Sequence, residues 1–125
     1  MNVVLDAGAL IAIDRDDRKT IGLLEFAHRS GSPLITSSPV LAQAWRDGAR
    51  QARLSRALKA IDVRDVTSDD ARAAGELLRE SKTSDVVDAL LALLATSGDQ
   101  VLTSDPLDLA ELLSARCVQA ELVHV

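Results

Sequence analysis

Aromatic residues are almost missing from this chain: Phe26 and Trp45 are the whole set, and there is no tyrosine. The core must therefore be aliphatic. Cysteine is nearly absent too, and the lone Cys117 excludes an internal disulfide and any cysteine-rich zinc site. Its flanks read as a strand, which predicts a buried thiol in a cytosolic protein. Long hydrophobic runs are lacking, since the longest, Ala89 to Ala95, falls far short of the roughly 20 residues that a membrane span requires. No export signal is visible either, because Met1-Asn2 leads straight into a short run broken by Asp6, and a cytoplasmic location is expected. Positive charge is in deficit, at a net −5 with a pI near 4.9, which argues against nucleic-acid binding through a broad basic face.

What remains is a chain of 125 residues, 47% hydrophobic and 26% charged, a composition that suits one folded domain over residues 1–125. Short branched runs alternate with helical patterns. Asn2 to Leu5, Leu34 to Thr36, Ile61 to Val66, Gln100 to Thr103 and the tail from Cys117 to Val125 read as strands. Helices are predicted over Ala9 to Asp14, Lys19 to Arg29, Val40 to Asp47, Ala49 to Ala60, a segment capped by Thr67 or Ser68, Asp85 to Thr96 with Ser84 as cap, and Asp105 to about Arg116. On the second of these, Leu23 and Phe26 are expected to widen a buried face of Ile21, Leu24 and Ala27. Arg50, Arg53, Arg56 and Lys59 recur at steps of three, the one basic stripe in the chain, readable as a solvated face or as a phosphate-steering one.

Alternation of this kind predicts a mostly parallel α/β sheet covered on both faces, with ligands at the carboxyl ends of its strands. That rule singles out the acids. Asp6 follows the first strand directly, and Asp105 follows Val101-Leu102-Thr103 in the same way. Asp85 and Asp88 share the first turn of a helix so apolar that it must be buried, a costly setting for an unpaired carboxylate. Each acid also has a plain structural explanation: Asp105 before Pro106 with Asp108 beyond resembles a helix start, Asp85 would gain from a helix dipole, and Asp6 could cap the helix after Gly8. Together, without a matching set of lysines, they are better explained by a bound cation. Oxygen ligands, with no cysteine cluster and with His28 and His124 in unpromising places, suit Mg²⁺ or Mn²⁺ rather than zinc. Such an ion activates water against a phosphodiester, so a nuclease is the expected chemistry.

Three segments, V-V-L-D-A-G-A-L-I-A, T-S-D-V-V-D-A-L-L-A and V-L-T-S-D-P-L-D-L, resemble in order and spacing the signature segments of PIN-domain proteins, particularly VapC-type toxins of toxin–antitoxin pairs. The resemblance spans essentially the whole chain. It implies a three-layer α/β/α sandwich and an Mg²⁺- or Mn²⁺-dependent endoribonuclease that cuts single-stranded regions of RNA. It further implies a cognate antitoxin that blocks the site, and a homodimer. Carried over residue by residue, Asp6, Asp88 and Asp105 are the catalytic, metal-binding acids, with Asp85 and Asp108 as further ligands or supporting groups.

One position departs from the family pattern. Where a glutamate is expected early in the helix after the second strand, S-P-V-L-A-Q-A-W-R places Gln43, which removes a negative charge from the site. Asp47, one turn later, is a possible substitute. Arg46 is a candidate RNA contact, and Trp45 reads as a core or dimer contact before a base-stacking one. Two rival readings follow: a catalytically weakened PIN module that acts by binding protein or RNA, and a phosphoacceptor receiver-like domain. The receiver reading lacks its acidic pair at the first strand and its lysine after the last, since Asp6 stands alone and no lysine follows Thr103.

Overall fold

The computed structural model describes residues 1–125. Short runs of branched, apolar residues build its centre. Strands β1 (Val3–Leu5), β2 (Leu34–Ser37) and β4 (Gln100–Thr103) are buried almost throughout, whereas β3 (Ile61–Arg64) and β5 (Glu121–His124) are only partly covered. All pairings are parallel and the order is β3-β2-β1-β4-β5, so β3 is an edge strand, as its alternating pattern predicts. Strand order reverses direction between β1 and β4. That is the switch point where a crevice opens at the carboxyl end of a parallel sheet, and Asp6 and Asp105 follow those two strands.

Helices α1 (Ala7–Asp14), α2 (Arg18–Arg29), α3 (Ser38–Ala44) and α4 (Ala52–Ala57) pack as one group around α1. Helices α5 (Ser68–Ser81), α6 (Val86–Ala92) and α7 (Pro106–Ala115) pack as a second group, and together with the sheet they make a three-layer α/β/α sandwich. The enclosed core is aliphatic and built mainly from leucine, valine, isoleucine and alanine. Polar residues inside it are all satisfied. The Thr36 hydroxyl donates to the Leu5 carbonyl at 2.7 Å, and buried Asp99 accepts the backbone N–H of Asn2 at 2.8 Å while its other oxygen takes the Thr96 N–H and hydroxyl, both at 2.9 Å. Burial alone would raise the Asp99 pKa, but those hydrogen bonds and the nearby amino terminus outweigh it and leave the carboxyl below its ordinary range.

Several elements differ from the sequence pattern, each for a local reason. The helix expected over Val40 to Asp47 stops at Ala44, with Trp45 extended at ψ 132°, and a 3₁₀ turn over Gly48–Arg50 precedes α4. Buried Gln51 causes the break. Its Oε1 accepts the backbone N–H groups of Arg46 at 2.8 Å and Asp47 at 3.0 Å, and its Nε2 donates to the Ala44 carbonyl at 2.9 Å. The basic stripe is broken with the helix: Arg50 pairs with Asp47 at 3.7 Å and Arg53 with Asp16 at 3.8 Å.

Asp85, not Ser84, caps α6, which ends at Ala92 instead of reaching Thr96. There the Arg116 guanidinium takes over the freed carbonyls of Ala92 and Ala95, at 2.5 and 2.8 Å. Phe26 is 66% exposed, because Thr20, Leu24 and Ala27 hold the inner stripe of α2 and Phe26 falls about 100° away from Ala27 around the helix. Cys117 is exposed rather than buried. It takes the left-handed conformation, φ 56°, that lets its own N–H reach Ser114 and the next one reach Leu113 as α7 closes, a position where glycine is usual.

Because Gln51 holds three backbone groups of the 44–47 segment, Gln51→Leu is expected to cost about 2 kcal/mol, read as a lower urea midpoint. An unchanged midpoint would contradict this role.

Candidate metal centre

Asp6 leaves β1 at the switch point and is only 6% exposed. Its Oδ1 accepts the Ala9 N–H at 3.1 Å and so caps α1, while Oδ2 accepts the Ser104 N–H at 3.2 Å and the Thr103 hydroxyl. One carboxylate thereby joins the β1–α1 corner to the β4–α7 corner. The approach of the two corners is close enough to require glycine. A Cβ at Gly8 would stand 2.6 Å from the Ser104 Cβ and 3.1 Å from Asp6 Oδ1.

Thr103 serves both corners at once. Its hydroxyl donates to Asp6 and accepts the Asp105 N–H at 2.9 Å. Asp105 occupies the cap position of α7, yet its side chain makes no capping bond, and its carboxylate is left for other use. Here the plain helix-start explanation does not hold. It does hold for Asp85, which accepts the Asp88 N–H at 3.0 Å, and for Asp6 alongside its contacts to Thr103 and Ser104.

Asp88, Asp105 and Asp108 can each present one carboxylate oxygen so that all three lie within 4.8 Å of one another. Asp6 and Asp85 stand outside that set, but their charges reach it. Partial burial, then the charges of Asp85, Asp6, Asp105 and Asp108 in that order, push the Asp88 pKa up from 3.8 to about 7. Asp108 is raised as well, first by hydrogen bonding with the Asp105 carboxyl and then by its charge. Thr83, Ser84, Asp85, Asp88, Asp108 and Leu112 line an adjoining cavity of about 230 Å³. No lysine or arginine relieves the crowding, since the ion pairs of the molecule use Asp16, Asp47, Asp62 and Asp69 instead. An all-oxygen, uncompensated donor set of this size fits a hard divalent cation.

The remaining candidates are not members of this acid set. Gln43 is exposed on α3, makes no hydrogen bond, and does not line the 230 Å³ cavity. The Arg46 guanidinium is turned back onto the carbonyls of Ala42 at 2.9 Å and Trp45 at 2.7 Å, and Asp47 is occupied by the Ala49 N–H and by Arg50. Trp45, 37% exposed, lies over Gly48. Sequence patterns give Thr103 and Ser104 no role, although both stand in the T-S-D-P segment. A threonine closing a buried strand just before a candidate acid was the available signal.

The solved structure of VapBC2 from Rickettsia felis bound to a DNA fragment from their promoter contains a chain that superposes with a TM-score of 0.70 at 15% identity, covering 98% of this chain and 99% of that one. At that identity the likeness is one of fold. No curated protein sequence matches. The family model for the PIN domain matches residues 3–112, a span that includes all five acids, Thr103 and Ser104, and on that match the chain belongs to the PIN domain family.

Proposed function

We propose that this chain is a divalent-metal-dependent endoribonuclease of the VapC toxin type, using Mg²⁺ or Mn²⁺. The observation that carries this reading is the group of acids at the switch point with no cation to neutralise it. Asp88, Asp105 and Asp108 are the nearest ligands, with Asp6 and Asp85 contributing charge and position. When bound, the ion supplies an activated water and stabilises negative charge on the phosphoryl oxygens. Asp6 and Thr103 keep the two corners in register, so the Asp105 carboxylate meets Asp88 without a capping role to compete for it. Asp88, at the start of a buried helix, is the acid whose protonation state the surroundings control most strongly.

The remainder of the assignment follows the same reading: a cytoplasmic protein, 1–125 as a single domain, cutting single-stranded segments of RNA, self-associating as a homodimer and silenced by a cognate antitoxin. The VapBC2 complex, a toxin–antitoxin assembly on promoter DNA, supports the antitoxin. Absence of any helix long and apolar enough to cross a membrane is compatible with this setting. A second reading, a PIN module that binds without cutting, is favoured by one feature, the neutral and unbonded Gln43.

Purified protein freed of any partner is expected to cut an RNA hairpin within its loop when given Mn²⁺ or Mg²⁺. Activity should vanish with EDTA and fall roughly 100-fold or more in Asp105→Asn. Cleavage that survives both treatments contradicts the metal reading. Gln43→Glu should lower the Mn²⁺ concentration needed for half-maximal rate. If the parent chain is silent, activity in Gln43→Glu identifies a degenerate nuclease, and continued silence favours the binding-module reading.

Asp88 also predicts a pH dependence. Its folded pKa exceeds the unfolded one, so ionisation costs nothing below about 3.8, and the penalty is fully present above about 7. Allowing for solvent screening on the open side, that penalty is about 1–2 kcal/mol. In EDTA the melting temperature is therefore expected to fall between those two pH values. Asp88→Asn should restore several degrees at pH 8 and almost nothing at pH 4. A variant less stable than the parent at pH 8 contradicts the charge-crowding account.

A further inference from the structure

Helices α6 and α7 run side by side in the same direction. Their first turns meet at the acids, where Asp88 comes together with Asp105 and Asp108. At their far ends the Arg116 guanidinium, just past α7, reaches the carbonyls of Ala92 and Ala95 where α6 ends, at 2.5 and 2.8 Å. Asp108, Leu112 and Arg116 recur at steps of four and so share one side of α7, about 12 Å from first to last. Leu112, between the other two, lines the acid cavity together with Asp88.

Arg116 is the one cation that serves this helix pair. Neither helix has a basic residue in its last turn, and Arg116 makes no ion pair elsewhere. Its backbone is fixed to α7, the N–H donating to the Leu112 carbonyl at 3.2 Å. The carbonyl of buried Ala95 accepts no backbone N–H, so the guanidinium is its only donor. Parallel neighbours bring two negative helix ends together, and a single positive charge between them offsets both. The two guanidinium bonds are the only hydrogen bonds between residues 86–96 and residues 106–116. On its strand side the same segment is fixed separately, by Asp99 holding Thr96.

At the opposite end charge works against this packing. Asp88 repels Asp105 and Asp108, which drives the first turn of α6 away from α7. With only seven residues, α6 is a short rod, and a displacement at one end is felt at the other. From this we infer that Arg116 is a positioning residue for the metal centre: by holding the end of α6 to α7, it fixes how far Asp88 stands from Asp105 and Asp108. The inference rests on the metal reading of the acids and extends it to a residue that touches none of them. Ligands drawn from two helices are only as well placed as the register between those helices. Without the two bonds, apolar packing alone opposes the repulsion, and because apolar packing is non-directional it lets α6 slide or tilt.

The test measures Mn²⁺ binding without RNA, from the loss of the free-ion electron paramagnetic resonance signal, at a temperature where circular dichroism shows each variant folded. Arg116→Met keeps the apolar stem and removes the donors; it should weaken Mn²⁺ binding about tenfold, as losing a group that orients metal ligands from outside does. Arg116→Lys keeps the charge and can reach one carbonyl, so its loss should be roughly threefold, and it carries the test if the methionine variant does not fold. Leu24→Ala, which opens a cavity under α2 in the other helical layer, should lower the melting temperature and bind Mn²⁺ as the parent does. Parental affinity in both Arg116 variants, even with a lower melting temperature, overturns the inference and leaves the metal reading standing. A matching loss of affinity in Leu24→Ala also overturns it, because general loosening then explains the effect. A parent chain that binds no Mn²⁺ overturns the metal reading and the inference with it.

Discussion

Carboxylates from three separate stretches of this chain converge where β1 and β4 part, and no lysine or arginine comes within ion-pairing distance of any of them. Like charges in that arrangement repel, and partial burial of Asp88 makes the repulsion stronger than it would be in open water. A fold that only had to be stable would have placed a basic residue among them or dispersed them. The architecture does neither. It spends a switch point, a required glycine and a buried threonine on holding them together, which is the pattern of a site that sacrifices stability for function.

Asp6 and Thr103 are the parts that make the convergence mechanical. Asp6 caps α1 with one oxygen and grips the Thr103–Ser104 corner with the other, and Thr103 passes the constraint on to the backbone of Asp105. Gly8 is what permits the approach. Displacing either corner would move Asp105 relative to Asp88, although no ligand atom had been touched.

The layer order was legible from the alternation of short branched runs with helical patterns, because parallel sheets buried on both faces leave that mark. Asp6 and Asp105 stood out in the sequence for a different reason, the rule that ligands lie at the carboxyl ends of parallel strands. What periodicity could not reveal is how a residue spends its hydrogen bonds. Asp105 has every outward sign of a helix cap and does not cap. Gln51 reads as one more helical residue, yet its amide takes over the backbone groups that would have continued α3. Phe26 and Cys117 went astray in a simpler way: hydrophobic character suggested burial, while a 100° step on α2 and a left-handed turn after α7 set them outside. Gln43 was legible as a departure from the family pattern, and it stands exposed and unbonded on α3.

The central claim is that the acids at the switch point are held in unrelieved repulsion that a divalent cation removes. Its most direct test is the titration of the Asp88 carboxyl by carbon-detected NMR, first without metal and then with saturating Mg²⁺. The account predicts a midpoint near pH 7 in the metal-free protein, falling into the ordinary carboxylate range when Mg²⁺ is added. An Asp88 that titrates at its ordinary value in both conditions would contradict it.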